Sequence, residues 1–300
     1  MELLELGLAR ARGKRPRDGV DQLGRLVALC EATFGEPSLE VVAARHHLAL
    51  AHVWAGDAAA ASELLQAAIS SYYRHAMQHG SLLASMHVAL GAALHAQGRL
   101  DAAEESYLHA IDIVHEYLGR DDPAASSAHA NLGLLRLDAG RLDQAEIDFT
   151  RALRLAQCVL GVRSLKLASL HRCLGDCHAR RSRWEDALRS RAQALDIFER
   201  QCGSTHMQTV HARLDVAHAH MRLSDAARAI GQLRKARAAA AADDGDSDVL
   251  VRTSRLLACA HVALGQYADA RAELRSAAAA DAEAASMLEA VDVLAAASRY

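Results

Sequence analysis

The chain has 300 residues, of which 51% are hydrophobic but only 4% aromatic, with 3 prolines and more than a fifth alanine. So little aromatic and β-branched bulk argues against a sheet protein and for helices packed closely through small side chains. The formal net charge of -3, from 34 basic and 37 acidic residues, provides no global basic field for nucleic acid and no acidic tail. Glu2 and Glu5 stand where a secretory signal carries positive charge, and no run approaches the roughly 18 apolar residues of a membrane span. The six cysteines (Cys30, Cys158, Cys173, Cys177, Cys202 and Cys259) are scattered, which fits reduced thiols and a cytoplasmic protein.

Residues 1–41 are predicted to form a degenerate leading repeat or N-terminal cap. Within them, residues 19–34 pattern as the second helix of a pair whose first helix is short or missing. The basic cluster ahead of it, Arg10, Arg12, Lys14, Arg15 and Arg17, is read as a solvated surface rather than a nucleic-acid site. The weak leading repeat also raises the expectation of an attachment upstream.

Residues 42–281 divide into six repeats of about 42 residues. Their turn residues, Gly56, Gly98, Gly140, Ser182, Ser224 and Gly265, are spaced by 42, 42, 42, 42 and 41. Five residues after each stands an alanine (Ala61, Ala103, Ala145, Ala187, Ala229, Ala270), and seven later another (Ala68, Ala110, Ala152, Ala194, Ala236, Ala277). Before each turn comes an aliphatic-small pair: Leu48-Ala49, Leu90-Gly91, Leu132-Gly133, Leu174-Gly175, Val216-Ala217 and Leu257-Ala258. Each repeat therefore reads as helix, tight turn, helix. Leu100, Ala103, Tyr107, Ala110, Ile111, Val114 and Leu118 trace one apolar stripe along a second helix of about 18 residues. Glycine suits the turn because it takes positive φ as a helix stop, and Asp101 and Asp143 complement the dipole of the helix that follows. Repeats four and five are expected to be the weakest, since Ser182 and Ser224 replace the turn glycine. There too, Arg191 interrupts an apolar column of Leu65, Tyr107, Phe149, Leu233 and Leu274. Residues 282–300 are predicted to be a C-terminal capping helix, from Ala284 to Ser298, with Met287, Leu288, Val291, Leu294 and Ala295 facing the last hairpin. One elongated array replaces the two-domain arrangement that the length alone suggests.

The aliphatic-small pair, the glycine turn and the two alanines seven apart resemble the tetratricopeptide repeat. The 42-residue period and the linker LGRDDPAAS from Leu118 resemble the longer repeat of kinesin light chains and their bacterial relatives. The likeness covers residues 19 to 281 and implies an all-α, right-handed superhelical solenoid whose first helices line a concave binding face. By position that peptide-binding groove holds Asn131, Arg172, Asp176, Arg180, Asp215, His218, Arg222, Arg252 and Arg255, together with His46, Leu50, His95, Leu134 and Asp138. Arginine forks suit carboxylates, so the expected ligand is an acidic or carboxylate-bearing stretch of a protein or peptide. The competing reading is structural, with Asp176 and Asp215 neutralising Arg172, Arg180 and Arg222. Kinesin-light-chain-like repeats often place an asparagine where this chain has His47, Ala89, Asn131, Cys173, Asp215 and Leu256, and only Asn131 matches. The two-asparagine carboxylate clamp of chaperone-binding members is absent.

Seventeen histidines invite a metal reading. His52, His178, His220 and His261 stand four residues before the turn, and His87, His129 and His171 eleven before it. Recurrence at matching positions points to a structural use. The densest cluster, His171, Cys173, Cys177 and His178 in LHRCLGDCH, lacks HExxH or CxxC spacing, and one helix presents two or three ligands at most. No nucleophile elbow, phosphate-binding loop or dinucleotide fingerprint occurs. No cofactor, metal, nucleic acid or membrane is expected. The sequence thus predicts a non-catalytic protein- or peptide-binding scaffold. The alternatives are a regulatory or sensor arm of a larger bacterial signalling protein, a kinase or transcription regulator, and then a metal-binding helical protein.

Overall fold

The structure, a computed structural model, describes residues 2–13, 16–36, 38–75, 79–161, 164–242, 247–279 and 281–297. Lys14 and Arg15 of the basic cluster and Ser298 at the end of the expected capping helix lie outside them. The described residues form α-helices and turns, with no strand among them, and group into two compact units, residues 1–159 and 160–300.

The first unit holds α1 (Glu2–Arg12), α2 (Pro16–Phe34), α3 (Leu39–Trp54), α4 (Ala58–Arg74), α5 (Gly80–Ala96), α6 (Leu100–Tyr117), α7 (Ala125–Asp138) and α8 (Leu142–Leu160). Each second helix packs on the next first helix, α4 on α5 and α6 on α7, and successive first helices α3, α5 and α7 also touch. The first helices therefore make an inner layer. The second unit holds α9 (Leu165–Arg180), α10 (Trp184–Cys202), α11 (Met207–Arg222), α12 (Ala226–Ala242), α13 (Ser247–Ala263), α14 (Tyr267–Ala277) and α15 (Ala282–Ala297). There α10 packs on α11, α12 on α13, and α11 touches α13.

All six predicted turn residues take a left-handed conformation, with φ from 59° at Ser182 and 61° at Ser224 to 82° at Gly56. In every repeat the turn N–H bonds the carbonyl three residues back, and the next N–H bonds the carbonyl five back. Examples are Gly56 to Val53 and Asp57 to His52, or Ser182 to Ala179 and Arg183 to His178. This pair of bonds closes the first helix and sets the angle at which the second departs. The alanine columns are the closest-packed sites. Ala61, Ala103, Ala145, Ala187, Ala229 and Ala270 are all 0% exposed, and the second column nowhere exceeds 4%.

A second register lies within each hairpin, joining the small residue seven before the turn to a large one nine after it. A Cβ on Gly91 would stand 2.6 Å from the Tyr107 ring, one on Gly133 2.8 Å from Phe149, and one on Gly175 2.7 Å from Arg191 Cγ. Where the large partner is leucine, the small one is alanine: Ala49 with Leu65, Ala217 with Leu233, Ala258 with Leu274. The sizes are matched because packed interiors tolerate neither a void nor an overlap. The leading pair α1–α2 keeps the same register 42 residues earlier, with Gly7 against Leu23, so its first helix is present at 11 residues. The α6 stripe is buried from Ala103 to Val114, while its ends, Leu100 and Leu118, are exposed. At the other end, α15 covers α14 with Ala284 and Val291 fully buried and Met287 and Leu288 partly so; Leu294 is exposed.

Candidate functional site

In the second unit, Arg172, Asp176 and Arg180 lie at i, i+4 and i+8 on α9, so they share one face. Asp215, His218 and Arg222 fall at i, i+3 and i+7 on α11, and Arg252 and Arg255 at i and i+3 on α13. Asn131 lies on α7 of the first unit, half-buried.

The centre of this face is a residue that the sequence pattern assigns to the core. Arg191, on α10, is buried; its stem crosses α9 over Gly175, and its guanidinium emerges between α9 and α11. There Nη2 donates to Asp176 Oδ1 at 2.8 Å and Nη1 to the Asp215 carbonyl at 3.0 Å. Burial pushes the Asp215 carboxyl above the usual carboxylate range, opposed first by Arg191. Arg172 and Arg252 also act on that carboxyl, and Asp176 repels it. His218 is pushed below its ordinary value by burial and then by Arg191, Arg222 and Arg252, so it is neutral near pH 7.

The remaining predicted arginines have different surroundings. Arg222 stacks on Trp184, its guanidinium carbon 4.7 Å from the ring centre, and His218 meets the same ring edge-on at 5.5 Å. Arg255 pairs with Asp281, at 3.5 Å, and with Glu283. Arg180 is exposed at the end of α9. Arg172 and Arg252 make no hydrogen bond or ion pair among the described residues. An ion network therefore exists around Asp176, and the cation that holds it is Arg191, a residue outside the predicted groove set. The sequence did carry a sign of it, since Arg191 is the one charged residue in its column and faces a glycine.

In the first unit the inner layer is more neutral. His95 Nε2 lies 3.3 Å from Asp138, and Leu134 is exposed. Behind it runs a network missed from sequence. Glu104 of α6 accepts from Arg136 at 3.0 Å and Arg141 at 2.6 Å, and Arg136 also reaches Asp148 at 2.7 Å. His129 Nδ1 stands 3.0 Å from the same Asp148.

The recurrent histidines have structural places. Before the turn, His52 faces Asp57 at 3.2 Å, His220 faces Asp225 at 3.7 Å and His261 faces Gln266 at 2.7 Å, each clasping the residue just after the left-handed one. In LHRCLGDCH, Cys177 and His178 are buried, and burial pushes the Cys173 thiol up to about 11. Such a thiol carries almost no thiolate near neutrality, which leaves a poor nucleophile. Among the described residues no three His, Cys, Asp or Glu side chains gather as a metal site. Nor is any helix among them long and apolar enough to cross a membrane.

No curated protein matches the chain in sequence. Among solved structures it is similar to BtubC (BKLC) of P. vanneervenii, with a TM-score of 0.68 and 19% identity over 78% of this chain and 94% of that one. It is also similar to a putative kinesin light chain of Podosopora anserina with nearly identical TPR-like repeats, at a TM-score of 0.56 and 17% identity over 65% and 92% of the two chains. A third is the C-terminal part of a TPR repeat-containing protein of Cytophaga hutchinsonii, at a TM-score of 0.60 and 13% identity over 94% and 98%. These likenesses establish an all-α solenoid of helical hairpins. The tetratricopeptide repeat profile itself matches residues 82–157 and 166–242, covering both units and half of the sequence, and the chain belongs to the tetratricopeptide repeat family.

Proposed function

We propose that this protein is a non-catalytic interaction scaffold whose second unit holds an acidic peptide segment along the inner face of α9, α11 and α13. The observation that carries the reading is the pair Arg172 and Arg252. Both act electrostatically on Asp215 from different helices, and neither has an ion-pair partner among the described residues. An unpaired guanidinium offers a carboxylate a two-pronged, charge-assisted contact. Trp184, carrying Arg222 on its face, adds an aromatic wall to the same side. The six free cysteines support a reducing, cytoplasmic setting.

The test is fluorescence anisotropy with a labelled hexaglutamate peptide. Arg172→Ala and Arg252→Ala are each expected to weaken binding by about tenfold, the usual scale for losing one charge-assisted contact. Unchanged affinity in both variants would refute the acidic-peptide reading. Lysate capture with wild type against Arg172→Ala then identifies the natural partner.

A further inference from the structure

A cavity of about 350 Å³ opens at the foot of α13, lined by Ser247, Asp248, Val251, Arg252, Arg255 and Asp281. Its size lies at the lower end for small-ligand sites, which run from roughly 300 to 1,000 Å³. Residues 247, 251 and 255 recur every fourth position, so one face of α13 forms the wall. Asp281, just ahead of α15, lines the cavity as well. Arg252 links this cavity to the inner face, since it also acts on Asp215 and His218.

Asp281 has two roles there. Its carboxylate caps α15, accepting from the Glu283 N–H at 3.3 Å and the Ala284 N–H at 3.2 Å. The same group lies 3.5 Å from Arg255 Nη1, at the outer limit of a hydrogen bond. Arg255's other contact is Glu283, whose side chain is 62% exposed, and a pair so open to water holds weakly. Among the described residues one guanidinium is thus unpaired, and the next is loosely held by the protein's own carboxylates.

We infer that this cavity is a carboxylate subsite in which Arg252 and Arg255 take an acid group and Asp281 is its built-in competitor. The inference rests on the acidic-peptide reading and places the end of the ligand. Asp248, on the same wall, adds a negative charge that tolerates a single carboxylate better than a phosphate dianion. Val251 offers the acid's carbon stem an apolar contact. The acid group comes either from a peptide or from a free small acid.

Asp281→Asn separates the two roles of that residue, because asparagine caps a helix as well as aspartate does but carries no charge. Labelled hexaglutamate amide is the probe, with succinate and inorganic phosphate as competitors. Asp281→Asn is expected to bind about fivefold more tightly than wild type, as removal of one nearby like charge predicts, and Arg255→Gln about tenfold more weakly. Succinate that displaces the probe from Asp281→Asn, while phosphate does not, supports the subsite with a free acid as a competent occupant. If Asp281→Asn and Arg255→Gln both stay within about twofold of wild type, the subsite is wrong; should Arg172→Ala alone weaken binding, the groove reading survives without it. Tightening in Asp281→Asn with no effect of Arg172→Ala keeps the subsite and removes the groove. Hexaglutamate and succinate that bind neither wild type nor Asp281→Asn overturn the subsite.

Discussion

The size matching inside each hairpin makes a quantitative prediction at Gly133. A methyl group there would stand 2.8 Å from Cδ1 and Cε1 of Phe149 and 3.1 Å from Cζ, and that ring is 0% exposed, with nowhere to move. Overpacking of this kind costs about 1–3 kcal/mol, against which replacing glycine in a helix gains ~1 kcal/mol of propensity. Gly133→Ala is therefore expected to lose about 1 kcal/mol net. Phe149→Leu alone opens a cavity and costs about 1–2 kcal/mol. The double variant recreates the alanine–leucine pair that repeats one, five and six already use, so its loss should fall short of the sum by about 1 kcal/mol or more. The assay is urea unfolding followed by circular dichroism, read as a shift in midpoint at constant slope. Repeat arrays need not unfold in one step, so exchange of α7 and α8 amides supplies a local readout. Additivity within about 0.5 kcal/mol would show that the two positions do not sense each other, and the register argument would fail.

Ser182→Gly and Ser224→Gly should each stabilise by about 1 kcal/mol, because a side chain at positive φ is strained, and until then the amides of repeats four and five should exchange faster than those of repeats two and three. His87 has both ring nitrogens buried without partners and is lowered to about 4 by burial and then by His109, whose ring it touches. The unfolded chain therefore takes up this proton first, so stability is full above the unfolded value of about 6.5 and falls as pH drops toward 4. Between pH 8 and pH 5 His87→Leu should lose about 2 kcal/mol less than wild type, and an equal loss in urea midpoints would contradict this. Of the two tryptophans, Trp184 lies on the candidate face and Trp54 packs under Arg12 in the first unit. Hexaglutamate should shift the emission of Trp54→Phe but not of Trp184→Phe, and the reverse would place the ligand elsewhere. Gly175→Ala combined with Arg191→Leu should keep or raise the unfolding midpoint while weakening hexaglutamate about tenfold; a folded variant that binds normally would remove Arg191 from the site.

What could be read from the sequence was whatever repeats. The turn residues, the alanine columns and the histidines before the turns each recur at fixed spacing; the first two do one physical job six times over, and the histidine stands in four repeats and clasps the residue after the turn in three. Single events could not be read this way. Arg136, Glu104, Arg141 and Asp148 are ordinary surface residues by composition and become a network only when α6, α7 and α8 are brought together. Likewise the neighbours of Arg222 and Arg255, Trp184 and Asp281, stand 38 residues before the one and 26 after the other, and no spacing in the sequence pairs them. The leading helix escaped because the position 42 residues before Gly56 is Lys14, neither the glycine nor the serine of the six repeats, although Gly7 and Leu23 keep the hairpin's size match.

Arg191 shows why a departure from the repeat is informative. Its column accepts leucine in three repeats and an aromatic ring in two, so a neutral solution of the right volume was available at this position. Burying a guanidinium instead costs desolvation that one carboxylate contact only partly offsets, and its Nε has no partner. Gly175 accommodates the arginine stem as Gly133 accommodates the Phe149 ring, so the backbone beneath is adapted to this residue. The result of that arrangement lies on the inner face. A positive charge is fixed between α9 and α11 by a side chain whose stem cannot move, which spares a ligand the entropy of ordering a flexible arginine. It also engages Asp176, the acid nearest Arg172 on α9, and Arg172 has no ion-pair partner among the described residues. A core position given up to charge in one repeat of six is what the proposed acidic-peptide face would require of a fixed anchor.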